Sequence, residues 1–396
     1  MTSEVSRKAL LRNPEGAILP LSEAGRTSRD GHNETCKPYN PARLLPMRWL
    51  AVLLLAALAS CTSKEGFGLG AIDVLSAGVV NDPANKTLRF DLLRFGLGKF
   101  CQEMQKRGVP LKLADGQPAT GRFFATSCQS QIFEDERQSL VVRFAGHGYT
   151  WSQVTGRIGF ETDGLVEYAP DFRMHDGAMY IYFRPQNVSD SRFRTTLVES
   201  TLARAAGGLT GVNPNKLGLQ IMNAQLKRGF TVIRYGGAGQ MDFAMGLLPE
   251  GQRPFRPFHR QQVTHELLDN DRTEIHAGQQ DYVGGFEIED EDEALYLTLR
   301  LEGTPAVDVL IVPKAAGSGM LSRYTTTGGP ALVQGVPLSE PLLAGQPWQR
   351  YVALPPGGYY LVIDHSAYLG QVAPAQTVLD NSPARVDYLI QRGSRP

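Results

Sequence analysis

Six of seven consecutive residues carry a carboxylate in the run Glu287-Ile288-Glu289-Asp290-Glu291-Asp292-Glu293. Calcium takes six to eight oxygen ligands, and carboxylates clustered at the edge of a β-sandwich can supply several of them. The alternative is a solvated loop whose charges keep strand edges from pairing with other chains. The run makes Glu289, Asp290 and Asp292 candidate calcium ligands, and we predict no other cofactor.

Other patterns that could mark an enzyme lack the required spacing. A zinc protease needs His at both ends of HExxH, whereas His265-Glu266-Leu267-Leu268-Asp269 ends in Asp, so we interpret it as a solvated linker. Gly317-Ser318-Gly319 does not have the spacing of a nucleophile elbow, and Gly146-His147-Gly148 is typical of a turn. Nothing in the sequence favours an enzyme, although the partners of a catalytic serine can be distant along a chain.

A charged, then apolar, then small-residue pattern lies near the N-terminus. Arg43 and Arg48 precede eleven consecutive apolar residues at 49–59, and this run is shorter than the roughly 20 residues that span a bilayer. The run closes as Leu58-Ala59-Ser60-Cys61, which resembles the lipobox of bacterial lipoproteins. The resemblance implies cleavage before Cys61 and acylation of its sulfur. The alternative is a buried core helix that ends in Cys by chance.

The resemblance also gives the mature protein a location. Residues 1–46 are either a mis-assigned start, with Met47 as the true first residue, or a disordered extension, and residues 47–60 are the signal peptide. Three acyl chains at Cys61, palmitate among them, exceed the two signals that stable anchoring needs. Thr62 stands in place of the Asp typical of inner-membrane retention. The resemblance therefore implies an outer-membrane lipoprotein exposed to the periplasm.

Two cysteines are then left to pair. Cys36 lies before the signal peptide and Cys61 carries lipid, which leaves Cys101 and Cys128 in an oxidising compartment. We predict a disulfide between these two residues. The alternative is two unrelated buried thiols.

Charge divides the mature chain into two parts. Lys and Arg total 40, and so do Asp and Glu, which argues against a nucleic-acid partner. Residues 61–258 carry 23 basic and 18 acidic side chains, whereas residues 259–396 carry 9 basic and 17 acidic ones. Closely spaced prolines predict an extended linker at 249–258. We predict a lipid-anchored tether at 61–70, a first domain at 71–248 and a second domain at 259–396.

The first domain is predicted to be α+β, with a curved antiparallel sheet packed against one or two helices. Apolar residues recur at three- to five-residue steps over 88–104, which predicts a helix weakened at Gly96 and Gly98. A second helix is predicted at 195–206. Short aromatic and β-branched runs bounded by Gly, Asp or Pro predict strands. They lie at 122–127, 139–144, 158–160, 179–183 and 230–233.

The second domain is predicted to be an all-β sandwich. Leucines at 295, 297, 299 and 301 alternate with polar residues, a pattern that predicts a strand with one buried face. A continuous apolar run at 307–312 predicts a fully buried strand, and the turn Pro355-Pro356-Gly357-Gly358 leads into another strand at 359–364. This pattern resembles the bacterial pre-peptidase C-terminal domain, a jelly-roll-like sandwich. The resemblance implies an accessory domain without catalytic residues.

Aromatic and basic residues of the first domain allow two interpretations. Aromatic and methionine side chains cluster over 168–183, where they form either a hydrophobic core or a groove for an acyl chain. Arg184, Arg192 and Arg194 are either contacts for anionic head groups or an ordinary exposed face.

These observations predict a non-enzymatic lipoprotein of the cell envelope with a binding or scaffolding role, attached to the membrane through its lipid. The charge asymmetry would suit a bridge between lipid and an envelope protein. Lipid carriage in a groove of the first domain is the alternative. A secreted hydrolase with an accessory sandwich is weaker, because no nucleophile, metal cluster or acid–base pair stands out.

Overall fold

The structure of the protein is a computed structural model, and the fold is described for the part of the chain that it defines. The described residues are 78–80, 82–112, 114, 116–133, 138–152, 156–175, 178–199, 215, 230–235, 241–246, 255–259, 264–328, 335–374 and 382–396. Among them, no helix combines the length and the apolar character that crossing a membrane requires.

Within these residues, seven antiparallel strands follow one another in chain order to form sheet A. The strands are β1 (Val109–Pro110), β2 (Gly121–Ile132), β3 (Leu140–Ser152), β4 (Gly156–His175), β5 (Ala178–Val198), β6 (Phe230–Tyr235) and β7 (Met241–Gly246). The β4–β5 pairing shifts register between Gly159 and Phe160, between Asp163 and Leu165, and again farther along the strands. Such bulges bend strands and increase their twist, in agreement with the curved sheet that the sequence predicts.

One face of sheet A is covered by a helix, α1 (Lys86–Lys106). A 3₁₀ turn precedes it, and the Asp82 carboxylate caps that turn by accepting a hydrogen bond from the Ala84 N–H at 2.8 Å. The predicted weakening at Gly96 and Gly98 does not break the helix. Leu93 and Met104, on either side of these glycines, are both buried in the core of sheet A, and this packing holds the helix together.

Two four-stranded antiparallel sheets form the sandwich in the C-terminal part of the described chain. Sheet B has the strand order β13-β10-β15-β8, and sheet C has the order β12-β11-β14-β9. The strands are β8 (Glu266–Ile275), β9 (Gln279–Ile288), β10 (Glu293–Glu302), β11 (Ala306–Pro313), β12 (Leu338–Leu343), β13 (Trp348–Ala353), β14 (Gly357–His365) and β15 (Ala384–Ser394). Helix α2 (Lys314–Thr326) follows β11 directly. The prediction of an α+β part followed by a mainly β part is confirmed.

The sandwich core follows the sequence pattern. Leu295, Leu297 and Leu299 of β10 point into the space between sheets B and C, which confirms the predicted half-buried strand. β11 is buried on both faces: Val309 contributes to the sandwich core, and Leu310 packs on the other side with α2. A strand with two covered faces has no polar face, and this explains its continuous apolar run.

Three local predictions are wrong. His265–Asp269 is not a linker, because from Glu266 onward the segment pairs with β15 as strand β8. Gly146-His147-Gly148 is not a turn but the middle of β3, and a Cβ on Gly146 would lie 2.7 Å from the Phe123 ring, so the glycine makes room for that ring. The first residues of the predicted helix at 195–206 continue β5 to Val198, and residues 200–206 lie outside the described chain.

Sheet A packs against the sandwich through buried polar contacts. The Arg122 side chain is completely buried and donates from Nε and Nη2 to the two oxygens of Asp281, at 2.8 and 2.9 Å. Lys112 pairs with Asp271, and Ala119 forms a parallel bridge with Thr273 of β8. The predicted domain boundary at 249–258 stays a prediction.

Candidate functional site

A cleft of ≈ 740 Å³, lined by both polar and apolar groups, lies between sheet A and α2. Strands β2 to β5 form its floor, the outward side of α2 forms one wall, and the last turn of α1 closes one end. Both sheet A and the sandwich contribute side chains, so the cleft depends on their packing. Ligand sites are typically concave and occupy roughly 300–1,000 Å³, which makes this cleft the candidate functional site.

A row of facing side chains crosses the floor of the cleft. His147 of β3 lies opposite Phe124 on one neighbouring strand and opposite Glu161 on the other. The Phe124 and His147 rings stack, with centroids 6.0 Å apart and planes inclined by 22°. Burial lowers the pKa of His147, and the negative charge of Glu161 opposes that shift in part. The imidazole is therefore neutral at pH 7.

Two ion pairs join β4 to β5 along the same floor. Arg194 lies opposite Glu161 and donates from Nε and Nη2 to Oε2, at 3.2 and 2.6 Å. Arg192 lies opposite Asp163 and contacts Oδ2 from Nε at 3.1 Å and from Nη2 at 3.0 Å. Side chains two residues apart on a strand share a face, so both pairs point into the cleft.

Helix α2 approaches sheet A closely at a glycine of β4. A Cβ on Gly159 would lie 1.8 Å from the backbone oxygen of Thr325, so the last turn of α2 rests on bare backbone at this point. The Thr196 hydroxyl donates to the same Thr325 oxygen at 2.7 Å. Nearby, the Arg157 guanidinium lies 4.0 Å from the centre of the Tyr324 ring. These contacts fix the wall of the cleft over its floor.

The position of α2 follows from its ends. Pro313 closes β11 and stands immediately before the helix, and Gly328 follows it with a positive φ of 69°. The N–H groups of Thr327 and Gly328 both donate to the Arg323 oxygen, which satisfies a helix-terminal carbonyl. The buried side of α2 includes Met320 and packs on β14, so its hydroxyl-bearing side lines the cleft.

A second polar cluster lies behind the cleft, in the interface between sheet A and the sandwich. The Tyr149 hydroxyl donates to Asp281 Oδ1 at 2.6 Å and accepts from the Tyr282 N–H at 2.8 Å. Arg122 Nη2 also lies 3.0 Å from the Tyr388 hydroxyl oxygen. Burial works to lower the pKa of Arg122, but Asp281 and the neighbouring tyrosines leave it raised well above its ordinary value. These groups bond one another, so the cluster is a structural support for the cleft.

One of the three calcium candidates, Glu289, uses its carboxylate in another contact. Glu289 accepts a hydrogen bond from Arg392 Nη1 at 2.8 Å, and this contact lowers the pKa of Glu289. The N–H of Asp290 donates to the Glu293 carboxylate at 3.3 Å, and Asp292 is exposed. In the part of the chain that the structure describes, no group of three His, Cys, Asp or Glu side chains is placed to hold a metal ion. The calcium site stays a prediction.

The predicted cysteine pair is brought together. Cys101 of α1 and Cys128 of β2 have their sulfur atoms 2.08 Å apart, the separation of a disulfide, which confirms the predicted pairing. The bond ties α1 to the sheet close to the end of the cleft. Cys61 and the signal-like segment lie outside the described residues, so the lipidation site stays a prediction.

The aromatic cluster over 168–183 belongs to the core wherever its side chains are described. Tyr168, Phe172, Tyr182 and Phe183 are all buried in the core of sheet A. The methionines of this cluster and Tyr180 lie outside the described side chains. The core interpretation therefore holds for these four residues.

Sequence reasoning singled out Arg192 and Arg194 but missed their partners. The signal was present as two alternations, Glu161-Thr162-Asp163 on one strand and Arg192-Phe193-Arg194 on the next. Each alternation puts like charges on one face of a strand. The pairing of β4 with β5 could not be read from the sequence, because bulges shift its register.

No family model and no curated protein matches the chain.

Proposed function

We propose that the chain is a non-enzymatic lipoprotein of the bacterial cell envelope, anchored through lipid at Cys61, that binds a ligand in the cleft between sheet A and α2. The cleft carries the binding part of the proposal, because it has the volume of a ligand site and exposed polar groups along its floor. The ordered pattern that ends in Leu58-Ala59-Ser60-Cys61 supports the anchor and the outer-membrane location.

The binding role is tested with the full chain, purified from membranes in detergent and incubated with a small-molecule extract of the envelope. Native mass spectra should show a bound mass before mild organic extraction and no bound mass after it. The double variant Arg192→Ala/Arg194→Ala should lose this mass, since both side chains line the cleft. Arg350→Ala is the matched control, because Arg350 pairs with Glu340 at 2.9 Å on the surface of the sandwich.

Each outcome of this measurement has a distinct meaning. A bound mass that is the same in the unmodified chain and in Arg192→Ala/Arg194→Ala would place the ligand outside the cleft. A phospholipid or fatty acid released by extraction would favour lipid carriage instead. A chain that binds nothing from the extract would overturn the binding role and leave scaffolding.

The anchor gives a separate prediction. Cys61→Ala removes the sulfur that would carry the lipid, so the variant should leave the membrane fraction for the soluble fraction. Fractionation followed by immunodetection measures this change. Cys36→Ala, which lies before the predicted signal peptide, should fractionate like the unmodified chain. Retention of Cys61→Ala in the membrane would contradict the anchor.

A further inference from the structure

The charges on the floor of the cleft balance locally. Glu161 pairs with Arg194 and Asp163 pairs with Arg192, so each carboxylate has a guanidinium directly beside it. A cleft that selected a polyanion or a polycation would present an excess of one charge. The row of paired charges instead presents little net field to a ligand, and the neutral imidazole of His147 adds none.

A further cation, Lys106, lies at the end of the cleft. Its positive charge contributes, less than that of Arg392, to the lowered pKa of Glu289. The paired charges of the floor are therefore balanced, and Lys106 adds one cation at the end of the cleft.

The ion pairs keep hydrogen-bonding capacity for a ligand. Both bonds from Arg194 reach the same oxygen of Glu161, so Nη1 of the arginine and Oε1 of the carboxylate have no partner among the described residues. The Arg192–Asp163 pair uses a single oxygen in the same way. The arginine side chains are 84% and 71% exposed at positions 192 and 194. Each pair therefore offers a donor beside an acceptor.

Hydroxyl groups complete the polar lining. Ser318 donates to the Lys314 oxygen at 2.7 Å, and Thr326 donates to the Ser322 oxygen at 2.7 Å. A hydroxyl that has donated its proton still has acceptor lone pairs. The α2 wall is therefore rich in acceptors, and a ligand that donates from several hydroxyls would match it.

The floor also has an apolar part. Phe124 and His147 stack at the β2–β3 end of the cleft, and Leu321 of α2 contributes to the lining. A sugar ring has apolar C–H faces and a rim of hydroxyls that donate and accept. It can lie on an aromatic ring while its rim bonds to paired donors and acceptors.

We infer that the ligand of the cleft is an uncharged oligosaccharide. This inference rests on the proposed binding function of the same cleft. The balanced ion pairs, the acceptor-rich wall and the stacked Phe124 and His147 rings each match one property of a neutral sugar chain. A charged sugar would gain nothing from this balance, and a fatty acyl chain would cover the remaining donor and acceptor atoms of the ion pairs without bonding to them.

The test uses the full chain in detergent on a printed array of neutral gluco-, manno-, galacto- and chito-oligosaccharides of three to six sugars. Heparin and chondroitin sulfate fragments on the same array provide the charged comparison. We expect binding to a subset of the neutral sugars. The best neutral sugar is then titrated by calorimetry, where Arg192→Ala/Arg194→Ala should weaken affinity at least tenfold and Arg350→Ala should leave it unchanged.

Salt provides a readout that separates neutral from charged ligands. Between 0.05 and 0.5 M NaCl the affinity for a neutral sugar should change less than twofold, whereas ionic recognition would weaken strongly. Binding of only sulfated fragments, of no glycan, or of a neutral sugar equally by the double variant would overturn the inference.

Failure of the inference is distinct from failure of the proposed function. If the native mass spectra show a ligand that depends on Arg192 and Arg194 but is a peptide or a lipid, the cleft binds and only the sugar assignment is lost. If the spectra show no ligand and the array shows no binding, both the proposed binding function and the sugar assignment fail.

Discussion

Asp364 is a buried acid whose ionisation opposes folding. It lies opposite Asp308 across the β11–β14 pairing, and both carboxylates are completely buried. The Ser366 hydroxyl donates to Asp364 at 2.7 Å, but burial raises the pKa of Asp364 to about 7, and the charge of Asp308 adds to this shift. A buried carboxylate without a cationic partner is costly, so the protonated form is favoured in the folded protein.

This raised pKa predicts a pH-dependent stability. The stabilisation due to the protonated Asp364 is fully present below its ordinary pKa of 3.8 and is lost as pH rises through about 7. Asp364→Asn keeps the shape without the charge. Its free energy of unfolding should match that of the unmodified chain at pH 4 and exceed it at pH 8 by up to about 4 kcal/mol. Urea unfolding between pH 4 and pH 8 measures the difference.

Asp290→Asn is the control for this prediction, because Asp290 is exposed. Its pH profile should run parallel to that of the unmodified chain. If the profile of Asp364→Asn were parallel too, Asp364 would be ionised in the folded protein at neutral pH.

At the scale of elements, the sequence was informative wherever one side of an element faces a core. The alternation in β10 and the apolar run in β11 each record which faces are covered, and both strands form as predicted. The sequence misled where a tertiary contact decides the local structure. His147 stands between two glycines, and their absent side chains make room for the Phe123 and Phe160 rings of a sheet core.

The cleft could not be predicted for the same reason. Its floor needs the register of β4 against β5, and its wall needs α2 to cross from the sandwich onto sheet A. Gly159 alone gives no sign that Thr325 lies against it, because the two residues are far apart in the chain. Non-local contacts of this kind leave no periodic pattern.

The approach of α2 to sheet A depends on Gly159. In Gly159→Ala the new Cβ would overlap the Thr325 oxygen, so the last turn of α2 must move and the hydrogen bond from Thr196 weakens. We expect a loss of about 1–3 kcal/mol in the free energy of unfolding, measured in urea. A fully tolerated alanine would show that α2 does not rest on this backbone.

Gly319→Ala is the matched control. Gly319 lies within α2, and a Cβ at this position meets open space. Alanine is the better helix former by about 1 kcal/mol, so this variant should be more stable than the unmodified chain. If Gly159→Ala lowers the free energy of unfolding and Gly319→Ala raises it, the loss is due to the contact at Gly159 and not to a general effect of replacing glycine.

The disulfide is the second device that positions an element of the cleft. Cys101 and Cys128 are 27 residues apart in sequence, and closing a loop of this length stabilises by about 3–4 kcal/mol in the loop-entropy model. Reductant should therefore lower the urea midpoint of the unmodified chain. Cys101→Ala/Cys128→Ala should start at the lower midpoint and not respond to reductant. If reductant leaves the urea midpoint of the unmodified chain unchanged, the prediction is wrong.

For the whole molecule, the uneven distribution of charge has an internal use. The basic first part and the acidic second part meet in buried pairs, each of which takes its cation from β2 or the β1–β2 connection and its anion from the sandwich. Arg122 pairs with Asp281, and Lys112 pairs with Asp271. A bridge to outside partners is therefore not needed to explain the asymmetry, since part of it holds the two halves of the chain together.

The pair between Arg122 and Asp281 is the strictest test of this view. Arg122→Met removes the cation and leaves a completely buried carboxylate beside Tyr149, which should cost about 3–5 kcal/mol in the free energy of unfolding. Arg350→Met breaks the exposed pair with Glu340 and should cost at most about 1 kcal/mol. Urea unfolding followed by both fluorescence and circular dichroism measures the two losses.

The same unfolding curves test how sheet A is held. Because Arg122 joins sheet A to the sandwich, Arg122→Met should also make the two parts unfold in separate transitions. A cost equal to that of Arg350→Met, with a single transition, would mean that packing alone holds sheet A on the sandwich.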